Sequence, residues 1–228
     1  MRKEVKILGA IVIVVVIAAI VGANYYRSSV QNERVSTSSN TSKGTINTEN
    51  LIRPDSPTLG AADAPVTVVE FYDPECEACA AFHPSVKKLL KDYEGKIRLI
   101  ARYMPLHPNS LSAATFTEAA GEQGKYWQAQ EMLFQKQSEW GTKHGPQTSA
   151  PVDINALFRK YAMELGLDLN KMDAAFAENR YNAKIQRDLK DGQILGVRQT
   201  PTFFVNGRRL ARFSEADLRA LIDEELKK

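Results

Sequence analysis

The hydrophobic and polar positions divide the chain of 228 residues into three parts. Residues 7–23 form a run of 17 residues without a charged side chain. Residues 28–50 contain 14 Ser, Thr or Asn residues and no aromatic residue, a composition that cannot bury a core. Further along, apolar residues recur with the periods of strands and helices. The pattern predicts an N-terminal anchor over 1–27, a flexible linker over 28–57 and one folded domain over 58–228.

The apolar run has the features of a membrane anchor. Its 17 residues lie at the short end of the length that a membrane-spanning helix requires. Basic residues precede the run, which places the N-terminus in the cytoplasm and the remainder of the chain outside. We therefore predict a single-pass protein of the cell membrane with an extracytoplasmic, periplasmic C-terminal domain. Signal-peptide cleavage after Ala23 is the alternative, and it would also export the domain.

The folded part begins with a strand–helix–strand pattern. Residues 66–72 and 97–103 are rich in β-branched and aromatic side chains, which is typical of strands. Between them, residues 75–92 place their apolar side chains on one stripe of a helix. Such a βαβ unit has a right-handed crossover if its strands are parallel.

A helical block and a hairpin follow. Apolar residues recur at helical spacing over about residues 108–194, which predicts a helical insertion. Asn206-Gly207 is a hairpin turn signal between two short strands, and Ser214 is a suitable N-cap for the last helix. The predicted order is therefore βαβ, helical block, ββα, an α/β fold.

Charge and composition narrow the function classes. The chain has 30 Lys and Arg against 27 Asp and Glu, a formal charge of +3 that is too small to favour nucleic acid as a partner. No Gly-rich phosphate loop occurs in the sequence.

The strongest chemical signal is the only cysteine pair, Cys76 and Cys79, in the stretch "DPECEAC". A disulfide across two residues constrains the unfolded chain very little, which disfavours a structural bridge. Cys76 would lie at a helix N-terminus, where backbone N–H groups and the helix dipole favour the thiolate. Cys79, one turn later, could reach it, and export would let the disulfide persist. The pair therefore predicts a redox centre.

A metal site is the competing interpretation of this pair. Cys76, Cys79 and His83 have the spacing C-x2-C-x3-H, whereas zinc takes four ligands or three and a water. The other histidines are His107 and His144. We expect His83 on the surface and His107 packed in its loop. A thioredoxin-like copper or other metal carrier remains the alternative function.

Four motifs carry a resemblance to a known family. In order, they are "VVEFYDPECEAC", "PLHPNS", "EQGKYWQAQEMLF" and "LGVRQTPTFFVNG". Over about residues 58–226 the chain resembles the DsbA-like branch of the thioredoxin superfamily, thiol-disulfide oxidoreductases of the bacterial cell envelope. The resemblance implies a thioredoxin-like fold with an inserted helical domain, here preceded by the predicted transmembrane helix and linker.

The resemblance also implies roles for five residues. Cys76 would be the nucleophile and Cys79 the resolving thiol. The Thr200–Pro201 bond would be cis and lie against the disulfide, with the Thr200 backbone pairing to an extended substrate. Glu70 matches the family's buried carboxylate, which can relay the proton of a buried thiol. An exposed position at a sheet edge is the alternative for Glu70.

The predicted function is that of a membrane-tethered, extracytoplasmic thiol-disulfide oxidoreductase. It would need no cofactor, act as a monomer on cysteine-containing proteins and exchange electrons with a membrane redox partner. Glu77-Ala78 departs from the proline, histidine or tyrosine common between the family's cysteines. Net reduction or isomerisation therefore stays an alternative. Repulsion by Asp73, Glu75 and Glu77 is expected to offset part of the stabilisation of the active thiolate.

Overall fold

The computed structural model describes residues 48–142 and 152–228. Within these ranges no helix combines the length and the apolar character that crossing a membrane requires. The predicted anchor, residues 28–47 of the predicted linker and His144 lie outside the described residues, so the anchor stays a prediction.

A mixed five-stranded sheet forms the centre of the described part. Its strands are β1 (Thr58–Gly60), β2 (Val66–Tyr72), β3 (Ile97–Tyr103), β4 (Thr202–Val205) and β5 (Arg208–Arg209). The order across the sheet is β1-β3-β2-β4-β5. β2 and β3 are parallel, and the other neighbouring pairs are antiparallel. β2 therefore lies in the middle of the sheet with a hydrogen-bonded neighbour on each side.

Helices cover both faces of this sheet. They are α1 (Thr48–Leu51), α2 (Glu77–Asp92), α3 (Ser110–Gly121), α4 (Tyr126–Gln135), α5 (Gln137–Trp140), α6 (Ile154–Glu164), α7 (Leu169–Ala177), α8 (Asn182–Ile194) and α9 (Glu215–Glu225). α3 to α8 separate β3 from β4 and confirm the predicted helical insertion. Six of the seven β2 residues are buried, as expected of a strand covered on both faces.

The buried apolar residues form three clusters. Val68, Leu89, Phe203 and Ile222 belong to the cluster shared by the sheet with α2 and α9. A second cluster contains the strand residues Phe71 and Phe204 together with Leu51 and Met104. The third fills the helical insertion around Phe116, Trp140 and Phe158 and reaches both cysteines. The cysteine pair thus lies where the insertion meets the sheet.

The predicted linker boundary at residue 57 is wrong, because residues 48–57 include segments packed on the domain. Leu51 is buried in the second cluster. Arg53 forms an ion pair of 2.7 Å with Asp191, and Asp55 one of 2.6 Å with Arg187. The polar composition of this segment did not indicate that its leucine is buried or that two long-range ion pairs hold the segment on the domain. β1 also escaped prediction, since its three residues are exposed and carry no apolar alternation.

The predicted local elements are confirmed. β2 and β3 have the predicted bounds, and they are parallel. The hairpin turns at Asn206 and Gly207, whose φ angles of 45° and 82° are those of a turn that Asn-Gly adopts readily. Ser214 caps the last helix by accepting a hydrogen bond from the Asp217 backbone N–H at 3.0 Å.

Candidate active site

The two cysteines occupy the first turn of α2, directly after the central strand. Asp73 directly follows the strand, and the Cys76 backbone N–H donates to the Asp73 carbonyl at 3.1 Å, which closes the turn. Cys76 is the N-cap residue of α2, and Cys79 lies within its first turn. Both are free thiols, and Cys76 is 7% exposed against 1% for Cys79. Cys76 is therefore the more exposed of the two cysteines, and it lines an open cleft that Cys79 does not line.

The environment of Cys76 favours its thiolate. The Cys79 thiol, by hydrogen bonding to the Cys76 sulfur, is the largest cause that lowers the pKa of Cys76, to about 6. Burial opposes this shift, while Thr200 and the backbone N–H groups of Ala78 and Cys79 support it. The pKa thus lies below neutral pH, and a nucleophilic thiolate is the predominant form there.

Cys79 has the opposite character. Burial is the main cause that raises the pKa of its thiol well above the ordinary value, and the neighbouring Cys76 adds to it. Glu70 contributes repulsion in the same direction. Cys79 therefore stays protonated at neutral pH, and it needs a proton acceptor before it can attack a disulfide.

Glu70 is buried, so the sheet-edge alternative is wrong. It lies on β2 between Ala101 and Phe203 of the two neighbouring strands and is 5% exposed. Burial is the main cause that raises the pKa of Glu70 to about 8, and repulsion by Cys76 adds to it. The Glu70 carboxyl is therefore neutral at pH 7. Its repulsion with Cys76 and with Cys79 indicates that it lies close to both thiols.

The loop before β4 completes the site. The Thr200–Pro201 bond is cis, as the resemblance implied. The Thr200 carbonyl accepts a hydrogen bond from Cys76 Sγ at 3.3 Å. Thr200 and Pro201 therefore lie against the cysteine pair, on the backbone that leads into β4.

Asp73 organises the turn instead of facing the thiolate. It is fully buried, and its carboxylate accepts hydrogen bonds from the backbone N–H groups of Glu75 at 2.8 Å and Leu106 at 2.6 Å. The Ser110 hydroxyl also donates to it, and His107 Nδ1 lies 2.7 Å away. The predicted packing role of His107 was incomplete, because its ring also lines a cleft with Cys76.

Glu75 connects two segments at the rim of the site by accepting hydrogen bonds from both. It is 4% exposed and accepts hydrogen bonds from the backbone and side chain of Asn109, at 2.6 and 3.0 Å. The Thr142 backbone and hydroxyl donate to it at 2.7 and 2.6 Å. Of the three acidic residues near Cys76, only Glu77 is exposed. The expected repulsion does not prevent the lowered pKa of Cys76.

Two open clefts adjoin the cysteine and proline residues. The first, of about 660 Å³, is lined by Cys76, Glu77, His107, Gln137 and Thr142 among others. The second, of about 440 Å³, runs along Pro201 and is lined by Gln199, Leu210, Phe213 and Arg209. Phe213 is 47% exposed, so the second cleft presents an apolar surface beside the site.

The alternative metal interpretation concerned Cys76, Cys79 and His83. Across residues 48–142 and 152–228, no three or more His, Cys, Asp or Glu side chains are grouped so as to hold a metal ion. His83 is half-buried, which corrects its predicted surface position, and its ring packs against Phe134 with centroids 5.1 Å apart. Its Nε2 is buried without a hydrogen-bond partner in the described part of the chain.

Known proteins share much of this sequence. A family model described as Thioredoxin matches residues 53–224. The Na(+)/H(+) antiporter NhaA 3 of Salinispora tropica is 39% identical over 153 residues, which are 66% of this chain and 21% of the antiporter. The chain therefore spans about a fifth of the length of the first curated relatives it matches.

Solved structures share the fold. A thioredoxin-like oxidoreductase from Silicibacter pomeroyi superimposes with a TM-score of 0.65 and 28% identity, over 80% of this chain and 99% of its own. The alpha-DsbA1 protein of Wolbachia pipientis gives a TM-score of 0.68 over 80% and 96%, and at 22% identity this likeness shows the fold alone. The predicted thioredoxin-like fold and the resemblance to DsbA-like proteins are confirmed.

Proposed function

The chain belongs to the Thioredoxin family, and from this premise we propose that it is a thiol-disulfide oxidoreductase acting on cysteine-containing proteins. The observation that carries the proposal is the contrast within one helical turn. Cys76 has a lowered pKa and some exposure, whereas Cys79 has a raised pKa and is buried. One thiol is suited to meet a partner and the other to act only inside the molecule.

The exchange runs through a mixed disulfide. In the reducing direction, the Cys76 thiolate attacks a substrate disulfide, forms one S–S bond and expels a substrate thiolate. Glu70 releases its own proton, its carboxylate takes the proton of Cys79, and the Cys79 thiolate attacks the Cys76 sulfur. The Cys76–substrate bond breaks, the second substrate sulfur leaves as a thiolate, and the Cys76–Cys79 disulfide forms. Two electrons pass to the substrate, and oxidation of a substrate dithiol is the reverse.

Substrate binding is proposed for the backbone beside the cis proline. An extended segment of the substrate pairs with the Thr200 backbone, which brings its cysteine next to Cys76. The cleft that contains Phe213 and Leu210 then accepts side chains that flank that cysteine. The reaction needs no bound cofactor.

The net direction follows from the thiolate. A stabilised Cys76 thiolate stabilises the reduced protein and makes its disulfide more oxidising. We therefore propose net oxidation of substrates outside the cytoplasm, with the chain tethered by residues 7–23 as a monomer and reoxidised by a membrane protein. Thiol trapping in cells tests the direction. Cys76 and Cys79 are expected to be found mainly oxidised, and a mainly reduced pair would indicate a reductase.

A trapping experiment tests the activity itself. Cys79→Ser leaves the nucleophile in place and removes the thiol that releases it, so mixed disulfides with other proteins should accumulate and disappear with reductant. Cys76→Ser is the matched control and should form none. Equal adduct levels in the two variants would remove Cys76 from the nucleophilic role, and no adducts in either would refute the proposed function.

A further inference from the structure

A small cavity adjoins Glu70 and is lined by polar and apolar side chains. Its volume is about 80 Å³, well above the roughly 10–15 Å³ that one water needs. Its polar lining comes from Glu70, His83, Gln130, Lys87 and Glu131, and the rest of the wall is apolar. Lys87 and Glu131 form an ion pair with side chains 53% and 36% exposed, so the cavity extends from the buried carboxyl to the surface.

Two residues that line this cavity carry polar groups without protein partners. His83 Nε2 is buried and has no hydrogen-bond partner in the described residues. No hydrogen bond joins the Glu70 carboxyl to another described residue either, although Glu70 is only 5% exposed. Native proteins usually satisfy buried polar groups with protein partners or ordered water. Water in the cavity would supply the Glu70 carboxyl with a partner, and His83 lines the same cavity.

The protonation states of the two residues complement each other. Burial raises the pKa of Glu70 to about 8, so the carboxyl holds a proton at pH 7. Burial is also the main cause that lowers the pKa of His83, with Lys87 acting in the same direction and Glu131 against it. The imidazole is therefore neutral at pH 7, and a proton that it takes from the carboxyl is held only briefly before it passes to solvent.

The proposed exchange requires such a route. Cys79 is 1% exposed and cannot give its proton to solvent directly. Glu70 can accept that proton only after it has released its own, and it is nearly as deeply buried. Each turnover must therefore carry one proton between Glu70 and solvent.

We propose that His83 is the outer station of a water-filled proton path that runs from Cys79 through Glu70 to solvent. The proposal rests on the proposed function. In the reducing direction, Glu70 first releases its own proton through cavity water to His83, which passes it to solvent. The Glu70 carboxylate then takes the proton of Cys79 Sγ–H, the thiolate attacks the Cys76 sulfur, and Glu70 is again protonated. In the oxidising direction, the proton travels inward and neutralises the Cys79 thiolate as it leaves.

A two-phase reaction separates this role from nucleophilic attack. The reduced full chain is mixed with 5,5′-dithiobis(2-nitrobenzoate), and released thionitrobenzoate is followed by stopped flow near neutral pH. Attack by Cys76 releases the first equivalent, and resolution by Cys79 releases the second. His83→Phe keeps an aromatic ring against Phe134 but cannot carry a proton. It should leave the first phase unchanged and slow the second by about tenfold to a hundredfold.

Rescue distinguishes proton transfer from packing. His83→Ala should show the same slow second phase, and added imidazole should restore it by entering the space left by the ring. Ser85→Ala is the matched control, because Ser85 lies on the same helix but donates its hydrogen bond to Glu215. It should leave both phases unchanged. Circular dichroism confirms that each variant is folded.

The outcomes are decisive for His83 and separate from the main function. A wild-type second phase in His83→Phe, or a slow second phase in His83→Ala that imidazole leaves unaltered, would overturn the relay. In either case the first phase would still report exchange at Cys76. Absence of both phases in the wild-type protein would instead refute the proposed function.

Discussion

Replacing Glu70 by Gln should stabilise the protein, and the gain should depend on pH. The carboxyl is 5% exposed in the middle of the sheet, where ionisation is costly. Gln has almost the same shape and resembles the protonated carboxyl. The substitution therefore removes the charge with little change in packing.

The size of the effect follows from linkage. The pKa of Glu70 is about 8 in the folded protein against an ordinary value of 4.5. Below pH 4.5 the carboxyl is protonated in both states, so its contribution to stability is fully present. Between pH 4.5 and 8 the carboxyl ionises only in the unfolded chain. The free energy of unfolding of the wild type therefore falls by about 1.4 kcal/mol for each pH unit. The loss reaches about 3 kcal/mol at pH 7 and levels off at about 5 kcal/mol above pH 8.

Urea unfolding of the full chain at pH 4.5, 6 and 7 measures this dependence. Glu70→Gln should match wild type at pH 4.5 and exceed it by about 3 kcal/mol at pH 7. The gain should be smaller in the oxidised protein, since the Cys76 thiolate that adds to the high pKa is then absent. Glu94→Gln, at an exposed turn, is the control and should show no such dependence. A stability difference that stays constant with pH would refute the reasoning.

The other predictions concern the thiolate and the buried ion pairs. The Cys76 thiolate should titrate near pH 6, measured by its ultraviolet absorbance, and a midpoint at the ordinary thiol value would contradict the hydrogen-bond argument. Thr200→Val should raise that midpoint, because it removes a side chain that helps to lower the pKa, whereas an unchanged midpoint would assign the effect to other groups. Asp191→Ala should cost about 3–5 kcal/mol in urea unfolding, because Arg102, fully buried, loses a partner at 2.6 Å; a loss below about 1 kcal/mol would contradict this.

Local patterns were sufficient for the parts of the fold that depend on neighbouring residues. The β-branched run at 66–72, the helical stripe after Cys76 and the Asn206-Gly207 turn each specify one element. The cysteine spacing and the preceding strand were also enough to place both thiols in the first turn of a helix. Periodicity could not identify the cis bond at Thr200–Pro201, which came from resemblance alone.

Long-range contacts account for what the sequence did not reveal. Arg102 is a charged residue within a strand, yet its side chain is fully buried and forms ion pairs with Asp188 and Asp191 at 3.0 and 2.6 Å. It also donates to the carbonyls of Asn50 and Leu51, and so helps to hold the supposed linker on the domain. These contacts join segments far apart in sequence, and no window of local pattern contains them.

His83 illustrates the same limit within the site. Its spacing from the cysteines suggested a metal ligand or a surface residue, because the helix alone was visible. The structure adds β2 and α4, which bring Glu70, Gln130 and Glu131 to the other sides of one cavity. The chemistry of the histidine therefore depends on two elements that the helical pattern could not supply.

Glu70 links the cost in stability to the proposed chemistry. It is the one charged residue in a strand, "VTVVEFY", that is otherwise suited to a buried centre. An uncharged side chain there should stabilise the protein at neutral pH, so packing gives no reason for a carboxyl. Proton transfer gives a reason for the carboxyl, because the buried Cys79 thiol with its raised pKa can react only if a neighbouring group takes its proton. A residue that opposes folding beside a thiol that requires a base is the arrangement expected of an active site.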